Sequence, residues 1–146
     1  MSKPANPVET IDTLQEQTMQ RSNTDNAPRS AIHQTLYSAD TFVQHDYLAG
    51  KNLPDIVRPQ EGQINWLHFV GINDVTLLKH ALEPYGIHEL VIEDILSRKQ
   101  RPKIEDYGSY VFTAAQVYHY TSTGKLHSDQ VYVIIGKDFV LSFQQK

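Results

Sequence analysis

The stretch Gly86-Ile-His-Glu-Leu-Val-Ile-Glu-Asp-Ile-Leu96, followed closely by Arg101-Pro-Lys-Ile-Glu-Asp-Tyr107, decides how this chain folds. Apolar residues in its first half recur three and four positions apart, which is the spacing of one face of an α-helix. We predict that the helix begins at His88, in the N-cap position, and ends before Pro102, because proline disfavours a helical conformation in the residue before it. Its core-facing residues are expected to be Val91, Ile92, Ile95 and Leu96.

A second short helix is predicted immediately upstream. Asn73 is the expected N-cap, and Asp74 suits the positive end of the helix dipole. Tyr85-Gly86 supplies a C-terminal stop, because glycine readily adopts the left-handed conformation that ends helices. The apolar residues at helical spacing are Val75, Leu78, Ala81 and Leu82.

β-branched and aromatic residues dominate the segments on both sides of these helices, and they predict strands. The predicted strands cover residues 32–37, 41–48, 64–70, 110–120, 130–135 and 139–143. In the third strand Ile64, Trp66, Leu67 and Phe69 cannot all be exposed, so this segment is predicted to be a buried strand. Strands grouped on both sides of a helical pair predict an α/β (α+β) fold, with a mixed, largely antiparallel sheet and helices packed on it.

Residues 1–30 differ from the rest of the chain. They contain no aromatic residue and no glycine, and they hold three of the seven prolines. So few apolar side chains do not offset the entropy of ordering the segment. We therefore predict a disordered N-terminal tail over residues 1–30 and one α/β domain over residues 31–146.

Composition excludes several classes of function. The chain has no cysteine, which excludes disulfides, thiolate zinc sites, iron–sulfur clusters and a cysteine nucleophile. Its net charge of −4 argues against a general grip on nucleic acid, so no nucleic-acid partner is expected. No apolar run reaches the roughly 18 residues of a membrane helix, which predicts a soluble chain.

Enzymatic motifs are missing as well. His88-Glu89 begins like the His-Glu-x-x-His motif of zinc proteases, but Ile92 stands where the second histidine belongs. The sequence contains neither a nucleophile elbow nor a glycine-rich phosphate loop. The chain is therefore predicted not to be an enzyme.

Two charged segments are candidates for binding. Residues 98–103 carry four positive charges, which suit phosphate groups of RNA or lipid, or else pair locally with the carboxylates at 93, 94, 105 and 106. Glu93 and Asp94 are adjacent carboxylates, and such oxygen donors suit hard cations like Mg²⁺. From the residues alone, solvated side chains or ion pairs with Arg98 and Arg101 are the favoured explanation of these two carboxylates.

Four segments, taken in order, resemble the cytoplasmic domain of CorA-type divalent-cation transporters. Residues 86–96 resemble the family pattern Gly-His-Pro-Leu-aliphatic-Glu-Asp-Ile-Leu, with Glu89 at the usual proline, and Arg101-Pro-Lys-Ile-Glu105 resembles Arg-Pro-Lys-aliphatic-Glu. The segment at 64–70 resembles the family's tryptophan-containing strand, and residues 129–144 resemble its hairpin and Ser-Phe-Gln ending. The resemblance covers about residues 60–146, with weaker continuity back to about residue 31.

The resemblance implies a regulatory domain of a homopentameric Mg²⁺/Co²⁺ transporter, in the cytoplasm below the inner (plasma) membrane. Mg²⁺ bound between neighbouring domains of such proteins closes the pore, and Asp94, with Glu93 nearby, corresponds to the acidic pair involved. The stalk helix, the membrane helices and the Gly-Met-Asn motif are expected beyond Lys146. Weak Mg²⁺ binding by the fragment and a partly uncovered sheet face are expected in consequence.

Two alternatives stay open from the sequence. The first is the zinc-transporting branch of the same superfamily, in which Zn²⁺ replaces Mg²⁺. The second is a stand-alone interaction module, in which residues 98–103 bind an anionic partner such as lipid or RNA.

Overall fold

The computed structural model describes residues 30–49 and 52–144. The predicted tail, apart from Ser30, lies outside the described residues; Ser30 itself is buried, and its hydroxyl donates to the carbonyl of Gly71. The elements are β1 (Ala31–Tyr37), β2 (Phe42–Leu48), β3 (Ile64–Val70), α1 (Val75–Leu82), a 3-10 turn (Glu83–Tyr85), α2 (Glu89–Ser97), β4 (Lys103–Asp106), β5 (Tyr110–Tyr120), β6 (Leu126–Gly136) and β7 (Phe139–Gln144).

The seven strands form one sheet in the order β2-β1-β3-β7-β6-β5-β4. Only the central pair β3–β7 is parallel, while the other pairings in the described part of the chain are antiparallel. Both helices contribute to one core with the sheet. The predicted fold class, a mixed and largely antiparallel sheet with helices packed on it, is confirmed.

The core lies between the helices and the face of the sheet that we call the inward face. Because successive strand residues point to opposite faces, every second residue of β3 is buried, namely Asn65, Leu67 and Phe69. Trp66 therefore lies on the opposite face, where 43% of it is exposed, so the predicted buried strand is buried on one face only. The aromatic rings of Phe69 and Phe143 stack on the inward face with their centroids 4.7 Å apart.

A buried amide network closes one end of this core. Gln34 Nε2 donates to Asn65 Oδ1 at 2.9 Å, and the hydroxyl of Tyr47 donates to Gln34 Oε1 at 2.8 Å. Asn65 in turn donates through Nδ2 to the hydroxyl of Tyr85. Burial raises the pKa of Tyr85 to about 12, with the Asn65 hydrogen bond opposing the shift and the charge of Asp138 adding to it.

The helix ends follow from specific side chains. Asp74, and not the predicted Asn73, caps α1, because its carboxylate accepts from the backbone N–H of Leu77 at 2.9 Å. Gly86 ends the following turn with φ +59°, as its left-handed role requires. His88 caps α2 as predicted, and its Nδ1 accepts from the N–H of Leu90 at 3.2 Å.

Apart from shifts of one residue at strand ends, the strands differ from the prediction in two respects. β6 begins at Leu126 and not at residue 130, because it pairs with β5 along its whole length. β4, a strand of only four residues at the edge of the sheet, was not predicted. Its polar residues Lys103 and Glu105 are partly buried on the inward face, while Ile104 is exposed, which reverses the usual alternation.

The face opposite the helices carries apolar side chains that none of the described elements covers. Its large exposed members include Trp66, Ile104, Val117 and Ile135, which lie on β3, β4, β5 and β6. The expected uncovered sheet face is thus present in the part of the chain that the structure describes.

Candidate metal-binding site

Helix α2 positions the two predicted carboxylates. Consecutive helical residues point about 100° apart, so Glu93 and Asp94 do not share a direction. Glu93 is exposed, whereas Asp94 points towards the edge strand β4 and keeps 25% of its side chain exposed. The structure therefore separates the pair into one solvated carboxylate and one that contacts protein.

Both oxygens of Asp94 accept hydrogen bonds from this chain. Oδ2 lies 2.7 Å from Lys103 Nζ, and Oδ1 lies 2.9 Å from Gln100 Nε2. Lys103 also contacts Glu105, at 3.0 Å between Nζ and Oε2. The ammonium group thus lies between one carboxylate from α2 and one from β4.

The electrostatics of the site follow from these contacts. The hydrogen bond to Asp94 is the main cause that raises the pKa of Lys103, against a smaller lowering by burial, so the ammonium stays charged. Burial raises the pKa of Tyr132, and the negative charge of Asp94 raises it further. The hydroxyl of Tyr132 is fully buried and has no hydrogen-bond partner within residues 30–49 and 52–144.

The loop between α2 and β4 is fixed at both ends. Arg98 ends the helix and donates to the carbonyl of Ile72 at 2.7 Å and to Asn73 Oδ1. Gln100 exchanges two hydrogen bonds with Gln130 of β6, its own N–H donating to Oε1 at 3.0 Å. These contacts hold Asp94 and Lys103 in register with each other.

The basic segment 98–103 is divided between solvent and protein. Arg98 and Lys103 make the contacts just described, whereas Lys99 and Arg101 are exposed. Local pairing with carboxylates is one of the two interpretations that the sequence offers for this segment, and Lys103 pairs in this way with Asp94 and Glu105. The partner of Asp94 is Lys103, however, and not Arg98 or Arg101.

Sequence reasoning missed Lys103, Gln100 and Gln130 as parts of this site. For Lys103 a signal was present, since Lys103 and Glu105 are two apart and therefore share one face of a strand. For the Gln100–Gln130 pair no signal was available, because the two residues are 30 positions apart and glutamine is unremarkable in either segment.

The carboxylate oxygens of this site are of the type that binds a hard divalent cation, but among the described residues too few of them converge to form a complete coordination shell. Carboxylate oxygens are the ligands that Mg²⁺ prefers, and Mg²⁺ usually keeps several waters, so one or two protein carboxylates suffice for a partial shell. Within residues 30–49 and 52–144, however, no three acidic or histidine side chains converge on one point. Asp94 can therefore serve only as part of a site that other groups complete.

Histidines do not supply a second site. His33 lies beside His68 on the uncovered sheet face, with ring centroids 6.2 Å apart. Each already has an oxygen partner, Asp46 for His33 at 2.6 Å and Ser142 for His68 at 2.8 Å.

The comparison with protein families decides which group the chain belongs to. The model for the CorA-like Mg²⁺ transporter protein matches residues 61–146, more than half of the chain. The chain belongs to the CorA-like Mg²⁺ transporter family. The matched segment contains α2, β4 and all the residues of the candidate site. The family description names a Mg²⁺ transporter protein.

Two curated relatives are similar in sequence. The cobalt/magnesium transport protein CorA of Thermotoga maritima is 40% identical over 82 residues, which cover 56% of this chain and 23% of the relative. The putative metal ion transporter YfjQ of Bacillus subtilis is 33% identical over 107 residues, covering 70% of this chain and 31% of the relative. The CorA-like chain thus spans less than a third of the length of either relative.

Two solved structures share the fold. The full-length CmaX protein superimposes with a TM-score of 0.53 at 14% identity, over 85% of this chain and 37% of that one. The CorA magnesium transporter from Methanocaldococcus jannaschii gives a TM-score of 0.53 at 10% identity, over 82% of this chain and 33% of that one. Among the described residues of the CorA-like chain, no helix has the length and hydropathy needed to cross a bilayer.

Proposed function

We propose that this CorA-like chain is the cytoplasmic Mg²⁺-sensing part of a divalent-cation transporter in the plasma membrane. The observation that carries the proposal is the family match over residues 61–146, because that segment includes the helix on which Glu93 and Asp94 lie. The relative from Thermotoga maritima is described as a cobalt/magnesium transport protein, so Mg²⁺ and Co²⁺ are the first cations to test.

In this proposal, Asp94 contributes one carboxylate to a Mg²⁺ site between neighbouring copies of the chain in a homopentamer. The geometry supports a shared site, since no described group of three acidic or histidine residues completes one within a single copy. Asp94 is partly exposed and Glu93 is fully at the surface, so both are accessible to a second copy.

Regulation would then follow from differential affinity. Carboxylates of two copies repel each other without an ion, and an ion between them favours the packing that brings them together. A ligand shifts a conformational equilibrium only by the difference between its affinities for the two states. Cytosolic Mg²⁺ would therefore favour the closed arrangement and limit its own entry.

The test is Mg²⁺ inhibition of transport by the intact transporter, reconstituted in liposomes with Mg²⁺ varied on the cytosolic side. Asp94→Asn is expected to move half-inhibition to at least tenfold higher Mg²⁺. Asp40→Asn, which removes a carboxylate from the turn between β1 and β2, is the matched control and is expected to leave the inhibition curve in place. Inhibition at the same Mg²⁺ concentration in Asp94→Asn and in the unmodified protein would contradict the proposal, and inhibition by Zn²⁺ alone would assign the chain to zinc transport.

A further inference from the structure

Lys103 forms an ion pair with Asp94, the carboxylate that binds the divalent cation in the proposed function. Its Nζ lies 2.7 Å from Asp94 Oδ2 and 3.0 Å from Glu105 Oε2. The ammonium also lies over an aromatic ring, because Nζ is 5.5 Å from the ring centroid of Phe112, a core residue with no exposed surface. Only 28% of the Lys103 side chain is exposed, so the ammonium is a built feature of this site.

An ammonium in this position competes with any other cation. A divalent ion that binds Oδ2 would lie within a few ångströms of Nζ, and the repulsion between like charges is strong at that distance. Oδ1 already accepts a hydrogen bond from Gln100 Nε2 at 2.9 Å. Binding of an ion at Oδ2 is therefore expected to displace Lys103.

Glu105 gives Lys103 a second partner when it moves. Lys103 and Glu105 are on the same face of β4, two residues apart, and they are already in contact. The ammonium can thus leave Asp94 and keep one carboxylate, so it is not left partly buried without a counter-charge, which would be costly.

We propose that Lys103 is a tethered competitor that sets the divalent-cation affinity of Asp94. At low Mg²⁺ the Lys103 ammonium holds Asp94, and at high Mg²⁺ it transfers to Glu105 and releases the carboxylate. Because the competitor is part of the chain, its local concentration is fixed and does not depend on dilution. The inference rests on the proposed function, since it takes Asp94 as the carboxylate that binds the ion.

The experiment measures ion binding by the 146-residue chain directly. Mn²⁺, which is paramagnetic and takes oxygen ligands like Mg²⁺, broadens the NMR signals of nearby residues, and Mg²⁺ is then added in competition. Lys103→Met keeps most of the aliphatic stem and removes the ammonium. It is expected to bind both ions at Asp94 at least tenfold more tightly than the unmodified chain.

Three variants separate this effect from others. Lys99→Met removes a positive charge from the same basic segment without altering a contact of Asp94, and is expected to change the affinity less than twofold. Lys103→Arg keeps the cation and is expected to show no gain. Lys103→Gln replaces Lys103→Met if the latter does not unfold cooperatively on heating.

The outcomes distinguish failure of this inference from failure of the proposed function. If the unmodified chain and Lys103→Met bound the ions with equal affinity, and Asp94→Asn abolished binding in both, Lys103 would not be a competitor. The assignment of Asp94 as the binding carboxylate would stand. An equal gain in Lys99→Met would also overturn the role of Lys103 as a competitor, because total charge would then be the cause. Broadening that is absent, or unaffected by Asp94→Asn in every variant, would overturn this inference, whereas the role of Asp94 in the intact transporter is decided by the Mg²⁺-inhibition assay of Asp94→Asn.

Discussion

Replacing Arg98 by alanine and by glycine separates the two contributions that this residue makes to the fold. Its backbone has φ +59°, and it is the only non-glycine residue with a positive φ in the described part of the chain. Its guanidinium joins the end of α2 to the loop before α1, through the carbonyl of Ile72 at 2.7 Å and through Asn73 Oδ1. The backbone conformation is unfavourable and the guanidinium hydrogen bonds are favourable, so two substitutions are needed to measure the two contributions separately.

The expected magnitudes follow from the geometry. A residue with a Cβ in the left-handed conformation costs about 1 kcal/mol or slightly more, and glycine avoids this cost. Hydrogen bonds from a charged donor contribute about 1.5–3 kcal/mol when buried, and we take about 1 kcal/mol because Arg98 is exposed. Arg98→Ala loses the bonds and keeps the strain, so its free energy of unfolding is expected to fall by about 1 kcal/mol. Arg98→Gly loses the same bonds but relieves the strain, and is expected to stay within about 0.5 kcal/mol of the unmodified chain.

Urea unfolding followed by circular dichroism measures both variants, with equal dependence on urea as the check of two-state behaviour. The order of stability of the two variants tests the explanation, because Arg98→Gly is expected to be more stable than Arg98→Ala by about 1 kcal/mol. Lys79, an exposed residue within α1, provides the reference, where glycine is expected to be about 1 kcal/mol less stable than alanine. If Arg98→Ala were as stable as Arg98→Gly or more stable, the account of strain at the end of α2 would be refuted.

Three further predictions concern single side chains. His88→Ala is expected to cost about 1 kcal/mol in urea unfolding, because the N–H of Leu90 loses its acceptor, and His88→Asn is expected to restore most of it. The same tyrosine-to-phenylalanine change is expected to act in opposite directions at two sites: Tyr132→Phe removes a buried hydroxyl without a described partner and stabilises by up to about 1 kcal/mol, whereas Tyr85→Phe breaks the bond from Asn65 and destabilises by about 1 kcal/mol. Burial raises the pKa of Tyr85 from 10.0 to about 12, so its stabilising contribution is expected to be complete below pH 10 and lost as the pH rises to about 12. The ultraviolet absorbance of phenolate, compared between the unmodified chain and Tyr85→Phe, measures the ionisation of Tyr85.

The elements that the sequence predicts well are those in which burial and periodicity agree. Helix α2 repeats its apolar residues at helical spacing, has a capping residue at His88 and precedes a proline, so several independent signals coincide. Val91 and Ile95 are fully buried, while Ile92 and Leu96 are partly buried against the core. The mixed sheet likewise follows from the order of the strands, because local patterns suffice to place strands on both sides of the helices.

Local patterns do not decide between neighbouring residues or between the two faces of a strand. Trp66 lies between the buried Asn65 and the core residue Leu67, and the alternation of β3 places it on the uncovered face. Strand β4 reverses the expected pattern, with Ile104 outside and charged residues inside, since α2 brings Asp94 over the edge of the sheet. Such a reversal depends on a partner from another element, and local periodicity contains no information about that partner.

The inward charges of β4 have two physical consequences that cannot be altered separately. An edge strand presents unpaired backbone groups to other chains, and charged residues that point inward are one way in which proteins prevent pairing at such an edge. Lys103 protects the edge because it points inward from β4, the last strand of the sheet. The same side chain neutralises Asp94 of α2, because its ammonium contacts that carboxylate. A substitution that frees Asp94 by removing Lys103 therefore also leaves the edge less protected, with the exposed Ile104 beside it. Tighter ion binding and greater self-association are consequently expected to occur together in Lys103→Met, and sedimentation velocity without added ion, in which Asp94 has no ligand to bridge copies, measures the second effect alone.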